Sequence, residues 1–262
     1  MTQIRFVLGA LLLVTLLFGA ILALLAVGRR VGLRGATDGG AKPLVGLGTV
    51  TNLVYAVLSL LLGFMFAGAA SRFDARRDLI AREVNAISSA WLRIDALPVK
   101  RGDSLRVDFR NYVDALIDLY VRPGDLRSME AASQHASLTT AQQTLWARAV
   151  EACLTPGGEP ARMLLLPSLN EMFDVVDTER VARQMHPAPV IWIMLAVSIF
   201  AASLFAGYDM VGRGHHLLYT IGIAATLSIV TFVIIDLEYP RLGIIRVDDF
   251  DRLIVQLRAG LR

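Results

Sequence analysis

The fold is decided by GTVTNLVYAVLSLLLGFMFAGAA, residues 48–70, and by the charged stretch SRFDARRDLIAREVNAISSAWLRIDAL, residues 71–97, that follows it directly. The first stretch is apolar over about the 20 residues that a helix needs to cross a bilayer. In the second, apolar residues recur at helical spacing among charged ones, which indicates an amphipathic helix. Since no glycine or proline lies between Ala69 and Leu97, the sequence predicts one continuous helix that leaves the membrane and stops at Pro98.

Three other apolar runs resemble this one, and the four spans are predicted at about residues 4–27, 44–70, 190–207 and 217–235. Overall, 55% of the residues are hydrophobic and 19% are charged, whereas soluble domains carry about 25% charged residues. The first run is longer than the roughly 7–15 residues of a signal-peptide core, so we expect it to be retained, although Ala23 and Ala26 permit a cleavage site. The composition predicts an all-α integral membrane protein with four transmembrane helices in two hairpins.

A charged insert separates the two hairpins. It is predicted to contain further helices from near Asp103, over about 138–154, and over about 160–186 with Pro167 as a possible kink. The domain organisation expected from this pattern is a transmembrane hairpin over residues 1–70, a cytoplasmic helical domain over 71–187, a second hairpin over 188–236 and a C-terminal segment over 237–262 with an amphipathic helix. The connection inside the first hairpin is predicted as a loop, Gly28–Pro43.

The orientation follows from lysine and arginine near the span ends. Basic residues that follow spans two and four are Arg72, Arg76, Arg77, Arg82, Arg241 and Arg246. The first hairpin loop has fewer: Arg29, Arg30, Arg34 and Lys42. The balance places the insert and both termini in the cytoplasm, with the protein in the inner membrane.

The sequence carries no catalytic signature: metalloprotease, nucleophile-elbow, paired-cysteine and phosphate-loop motifs are all missing. We therefore predict no enzyme activity, no cofactor and no metal. A net charge of +3 gives no concentrated basic face, so no nucleic-acid partner is expected. The single cysteine, Cys153, cannot form an intrachain disulfide. Asp248, Asp249 and Asp251 fit the first turn of the last helix better than a cation site.

Span two is the only span with an amide inside it. Asn52, Tyr55, Ser59 and Gly63 recur at three and four residues and are predicted to share one stripe, beside a second row formed by Ala56, Leu60 and Phe64. A polar stripe in a membrane helix should face protein or water. Two interpretations stay open: packing of small residues between helices, or a pore with a hydrophobic constriction.

The sequence resembles the bestrophin-like membrane proteins. The segment from Leu62 to Phe73 is similar to the second span of bestrophins, in which Leu-Gly-Phe is followed by an Arg-aromatic pair. RFDARR at 72–77, EVNAI at 83–87 and WLR at 91–93 resemble the bestrophin-like domain of bacterial membrane proteins more closely. The closing segment is also similar, with an acidic residue, Pro240 and Gly243 before a final helix. The motif match covers about residues 60–93 and 236–258.

This resemblance implies an oligomer, a pentamer by family likeness, in which span two lines a central anion pathway. The neck phenylalanine corresponds to Phe64, and the neck positions one and two turns earlier correspond to Leu60 and Ala56. Because these two are smaller than the bulky family residues, an apolar neck is expected to be wider or absent. The acids of the calcium clasp in animal bestrophins are not reproduced.

The leading hypothesis is an oligomeric channel for small anions, surrounded by membrane lipid. Its predicted pore-lining residues are Asn52, Ala56, Ser59, Leu60, Gly63 and Phe64. Its cytoplasmic mouth is predicted to carry Arg72, Arg76 and Arg77, which would concentrate anions. The alternative is a non-conducting scaffold or sensor whose helical insert binds a cytosolic partner.

Overall fold

The computed structural model describes residues 2–37, 47–121, 129–211, 217–239, 244–245 and 248–261. These residues are helical nearly throughout, and the described ranges contain no strand. The helices are α1 Thr2–Thr37, α2 Leu47–Arg93, α3 Val99–Val121, α4 Met129–Leu154, α5 Glu159–Gln184, α6 Pro189–Asp209, α7 Leu217–Glu238 and α8 Asp248–Gly260. Four helical segments in the described ranges are long and apolar enough to cross a membrane: Val7–Arg34 within α1, Gly48–Ala96 along α2, Glu159–Asp209 across α5 and α6, and Leu217–Glu238, which is α7. The all-α membrane class is thus confirmed.

Helix α2 is continuous over 47 residues, about 70 Å at 1.5 Å per residue, as its sequence predicts. It tightens into a 3-10 turn at Ile94–Ala96. The turn ends at Leu97, which is extended, as is usual for a residue that precedes a proline. Helix α5 likewise continues through Pro167.

The predicted loop from Gly28 is wrong in its first ten residues, because α1 remains helical to Thr37. The glycines in this stretch permit close helix packing instead of a turn. A Cβ on Gly28 would collide with the carbonyl oxygen of Leu204, and a Cβ on Gly207 would collide with that of Leu25. Small residues that let two helix backbones approach are typical of membrane helix interfaces.

The predicted start of α4 is also wrong, by nine residues. The helix begins at Met129 instead of about residue 138. The added stretch, MEAASQHAS, contains three alanines and a glutamate, which favour helix even without an apolar stripe.

The chain forms two compact units. The apolar unit comprises Met1–Phe73 and His186–Ile245. In it, α1 packs closely against α6 and α7, around buried residues such as Ile21, Leu195 and Ala224. The pairing of the four spans into two hairpins is not confirmed, because the close backbone contacts of α1 in the described ranges are with α6 and α7 rather than with α2.

The insert unit comprises Asp74–Met185 and Arg246–Arg262. The second half of α2 packs there with α3, α4 and α5 around the fully buried Phe109 and Tyr112. The Trp91 ring meets Phe109 edge-on at 5.5 Å between centroids. Helix α8 lies on α3, with Ile254 and Leu261 buried in the same core.

Candidate functional site

One face of α2 in the apolar unit is covered by the chain itself. Thr51, Leu58 and Met65, spaced seven residues apart, are buried together with Ala69. The hydroxyl of Tyr55 donates a hydrogen bond to the carbonyl oxygen of Ala202, 3.3 Å away. Tyr55 therefore belongs to the inner side of the helix and not, as the spacing predicts, to the stripe of Asn52.

The opposite face of α2 is open. The structure places all six predicted pore-lining residues on this side, and each is exposed: Asn52, Ala56, Ser59, Leu60, Gly63 and Phe64. We call them the outer face of α2. Leu60 is 60% exposed and Phe64 is 68% exposed. A Cβ built on Gly63 would meet no atom within 4 Å. No described residue of this chain covers the outer face.

Two side chains on the outer face are polar. Asn52 and Ser59 lie two turns apart, and neither side chain makes a hydrogen bond to another described residue. Lipid cannot satisfy an amide or a hydroxyl at this depth. Two polar side chains within a membrane span favour water or another protein surface opposite the outer face.

Arg72, one of the three predicted mouth residues, is held in an ion pair. Its guanidinium Nε lies 2.9 Å and its terminal nitrogen 2.7 Å from Oε2 of Glu238, whose side chain is 1% exposed. Oε1 of the same carboxylate lies 2.9 Å from Nδ1 of His186, and the His186 ring stacks on Tyr239 at 4.9 Å. Glu238 thus joins α2, the end of α7 and the residue that leads into α6.

A second buried acid, Asp236, stabilises the chain after α7. Its two carboxylate oxygens accept the backbone N–H groups of Ile244 and Ile245, each at 2.7 Å. The sequence shows acids at the end of span four, but it does not show their partners, because Arg72 and Glu238 are 166 positions apart. Both acids are structural in this arrangement.

Arg76 and Arg77 lie in the insert unit in different surroundings. Arg76 is buried, and its guanidinium donates to the carbonyl oxygens of Ala182 and Met185 at the end of α5. A cation at this position favourably meets the negative end of the helix dipole. Arg77 is exposed and lies 3.6 Å from Asp74. The structure therefore does not bring the three arginines together as one free basic cluster.

The insert unit contains a buried polar network. The hydroxyl of Tyr120 donates to Glu83 at 2.8 Å, and Arg183 pairs with Glu179 while its guanidinium stacks over the Tyr120 ring at 4.4 Å. Burial, followed by the nearby Glu83 carboxylate, raises the pKa of Tyr120 well above its usual value. Burial lowers the pKa of Arg183, but Glu179 and Tyr120 reverse this and leave the pKa raised. Two acids, Glu83 and Glu179, thus share one cation, Arg183, and one tyrosine hydroxyl in this network.

The insert unit also has an open cavity of about 820 Å³ between α4 and α5. Two of the apolar side chains around it are strongly exposed, with Met163 at 84% and Leu154 at 67%. Its lining residues are Trp146, Cys153, Leu154, Glu159, Arg162, Met163, Leu166, Pro167 and Asn170. Within the described ranges, no three histidine, cysteine, aspartate or glutamate side chains are grouped to hold a metal ion.

The helical architecture agrees with comparisons to known proteins. The family model of the bestrophin-like domain matches residues 16–249. Because the match covers most of its length, the chain belongs to the bestrophin-like family, which confirms the resemblance seen in the sequence. No curated protein is significantly similar to the chain in sequence.

Two solved structures have a similar fold, and both are point variants of a bacterial bestrophin homologue from Klebsiella pneumoniae. The variant with a tyrosine-to-alanine substitution has a TM-score of 0.67 at 13% identity, over 93% of this chain and 99% of that one. The variant with an isoleucine-to-threonine substitution has a TM-score of 0.62 at 16% identity, over 92% of this chain and 95% of that one. At these identities the likeness shows the fold alone.

Proposed function

We propose that several copies of this chain, five by family likeness, form a ring in which the outer face of α2 lines a pathway for small anions. The observation that carries the proposal is the uncovered outer face, with two polar side chains that have no partner within the described chain. A ring of copies around a water-filled axis satisfies these side chains, and membrane lipid surrounds the remaining spans.

The chemistry of the outer face suits an anion. Asn52 and Ser59 can donate hydrogen bonds from an amide and a hydroxyl to a partly dehydrated anion. None of the six residues is acidic, so none repels negative charge. Leu60 and Phe64 supply the apolar narrow region, where dewetting can close the pathway. The small side chain of Ala56 widens it one turn earlier. No covalent step is required.

The three mouth arginines have different roles in this proposal. Arg72 and Arg76 hold helix ends through Glu238 and through the α5 carbonyl groups. Arg77 is exposed, so it is the one of the three assigned to attracting anions. The proposed topology keeps the predicted division of the chain, with residues 71–187, residues 237–262 and both termini in the cytoplasm and the four spans in the inner membrane.

The test is anion flux from liposomes that contain the purified protein. We expect Phe64→Ala and Leu60→Ala to raise the flux several-fold, because each removes apolar bulk from the narrow region. The matched control is Phe200→Ala, the same substitution at an exposed position of α6 in the apolar unit, which should leave the flux unchanged. Equal flux in the unaltered protein and in all three variants contradicts the pore assignment.

A second function is favoured by the cavity between α4 and α5. Exposed Met163 and Leu154 beside it suit a cytosolic protein partner, which makes the chain a membrane scaffold or sensor. The two functions differ at Asn52. In a scaffold Asn52→Leu is neutral or stabilising, whereas in a pore it removes a donor and changes the relative permeability of anions.

A further inference from the structure

Two arginines near the end of α1 are not assigned to the pathway and hold no other part of the described chain. Arg29 is half-buried and Arg30 is exposed. Neither forms a hydrogen bond or an ion pair within the described residues. Helix α1 contains no acidic residue at all, and Asp209, at the end of the neighbouring α6, forms no ion pair with them in the described ranges.

The helix dipole does not account for these two charges either. A cation is stabilised by the dipole within about the last turn of a helix. Arg34 occupies that turn of α1, whereas Arg29 and Arg30 lie two turns before the end at Thr37. Within the described residues, neither a partner nor the helix dipole accounts for their position.

Their depth corresponds to the headgroup level of a bilayer. Residues 7–27 of α1 are free of charge and span about 31 Å as a helix, which matches the hydrocarbon core of about 30 Å. Arg29 and Arg30 follow immediately. Tyr208 lies beside Gly32 at the same end of the helix pair, and tyrosine is enriched at membrane interfaces.

The direction of the side chains also fits a lipid. Ile21, Leu25, Gly28 and Gly32 form the side of α1 that packs on its neighbours. Arg30 lies two residues after Gly28, so it points about 200° away from that glycine around the helix. The exposed Val27 and Val31 flank it with apolar surface.

We propose that Arg29 and Arg30 bind the phosphate headgroup of an anionic phospholipid whose acyl chains lie along the exposed apolar side of α1. Arg29 and Arg30 are consecutive, and each guanidinium offers paired donors to phosphate oxygens. The excess of positive charge favours a headgroup with net negative charge over a zwitterionic one. This site does not depend on ion conduction or on which side of the membrane holds the insert unit.

The experiment is native mass spectrometry of the full chain in mild detergent, titrated with phosphatidylglycerol or phosphatidylcholine. The unaltered protein should bind phosphatidylglycerol more tightly. The double variant Arg29→Gln with Arg30→Gln should lose that preference, at about fivefold for each cation removed. Arg29→Lys with Arg30→Lys should keep most of it, because the charge remains.

The matched control removes two exposed cations from the insert unit, Arg82→Gln with Lys100→Gln, and should leave the preference unchanged. If the double glutamine variant is not recovered folded, Arg30→Gln alone tests the same claim. Equal binding of both lipids by the unaltered protein overturns the proposal, as does an unchanged preference in Arg30→Gln.

Two further outcomes separate other occupants. Soluble glycerol phosphate, which has no acyl chains, should not compete with phosphatidylglycerol. Competition at equal concentration shows a site for phosphate alone and overturns the lipid assignment. A change in oligomer size with an unchanged lipid preference assigns the arginines to contacts between copies and also overturns it.

Discussion

The two halves of α2 differ in how their surfaces are completed. The second half, from Asp74 to Arg93, is amphipathic, and its apolar residues Ile80, Ile87 and Ala90 are buried by other helices of the same chain. The first half, from Leu47 to Phe73, is mostly apolar, carries the polar Asn52 and Ser59 on its outer face, and is buried only on its inner face. One continuous helix therefore has one half that the chain completes and one half that must be completed from outside.

The buried residues of the second half identify a core. The exposed residues of the first half do not by themselves identify a functional site. An exposed leucine is ordinary on a protein surface, and an exposed leucine or phenylalanine is equally ordinary against lipid. Asn52 and Ser59 are what distinguish the outer face, because they are polar at membrane depth.

The largest expected effect is a difference in folding stability between substitutions in the two halves of α2. Ile87→Ala removes a fully buried side chain and should lower the free energy of unfolding by about 2–5 kcal/mol, through lost burial and the cavity left behind. Leu60→Ala on the outer face should change it by less than about 1 kcal/mol in detergent. Thermal unfolding of both variants checks this, and equal losses would show that the outer face is packed within the chain.

A smaller effect concerns the ion pair at the end of the first half. Glu238→Gln weakens the charge-assisted hydrogen bonds to Arg72 and His186 and should cost about 1.5–3 kcal/mol of stability. Glu151→Gln is the control, since Glu151 meets Arg101 at 3.4 Å on the exposed surface, where ion pairs contribute little. If both substitutions cost the same, Glu238 does not hold the helices together.

The smallest effect tests how tightly the insert unit is sealed. Cys153 is buried, and burial raises the pKa of its thiol. Less thiolate is therefore present at pH 8 than for a free cysteine, so alkylation by iodoacetamide should be slower in the folded protein than in the unfolded one. The raised pKa also means that the rate should increase further as the pH rises above 8. A folded protein that reacts as fast as the unfolded one has an open core.

The sequence predicts most of this architecture because its signals are local. The apolar runs and the unbroken charge periodicity of residues 71–93 suffice for the spans and for the length of α2. The sequence fails at Gly28, where the same residue type serves loops and close helix packing, and only the approach of Leu204 decides between them. It fails at residues 129–137 because that part of α4 has no apolar stripe to mark it.

The sequence also predicts part of the candidate site, but not the contacts that its residues make with distant parts of the chain. Helical spacing and family likeness place the six outer-face residues on one side of α2, as the structure does. Spacing misplaces Tyr55, since the face it occupies depends on the partner at Ala202. Helical spacing also does not predict the ion pair of Arg72 with Glu238 or the hydrogen bond of Arg76 to Ala182, because these partners are distant in the chain.

The central claim is that the outer face of α2 borders water inside the membrane. It is tested most directly by Ser59→Cys in a Cys153→Ala background, treated with a charged, membrane-impermeant methanethiosulfonate in liposomes. The account predicts that the thiol at position 59 reacts and that anion flux falls, while Val197→Cys, at an exposed position of α6, reacts slowly and keeps its flux. A thiol at position 59 that reacts no faster than the one at position 197 would contradict the account and leave the outer face to lipid or to dry packing between copies.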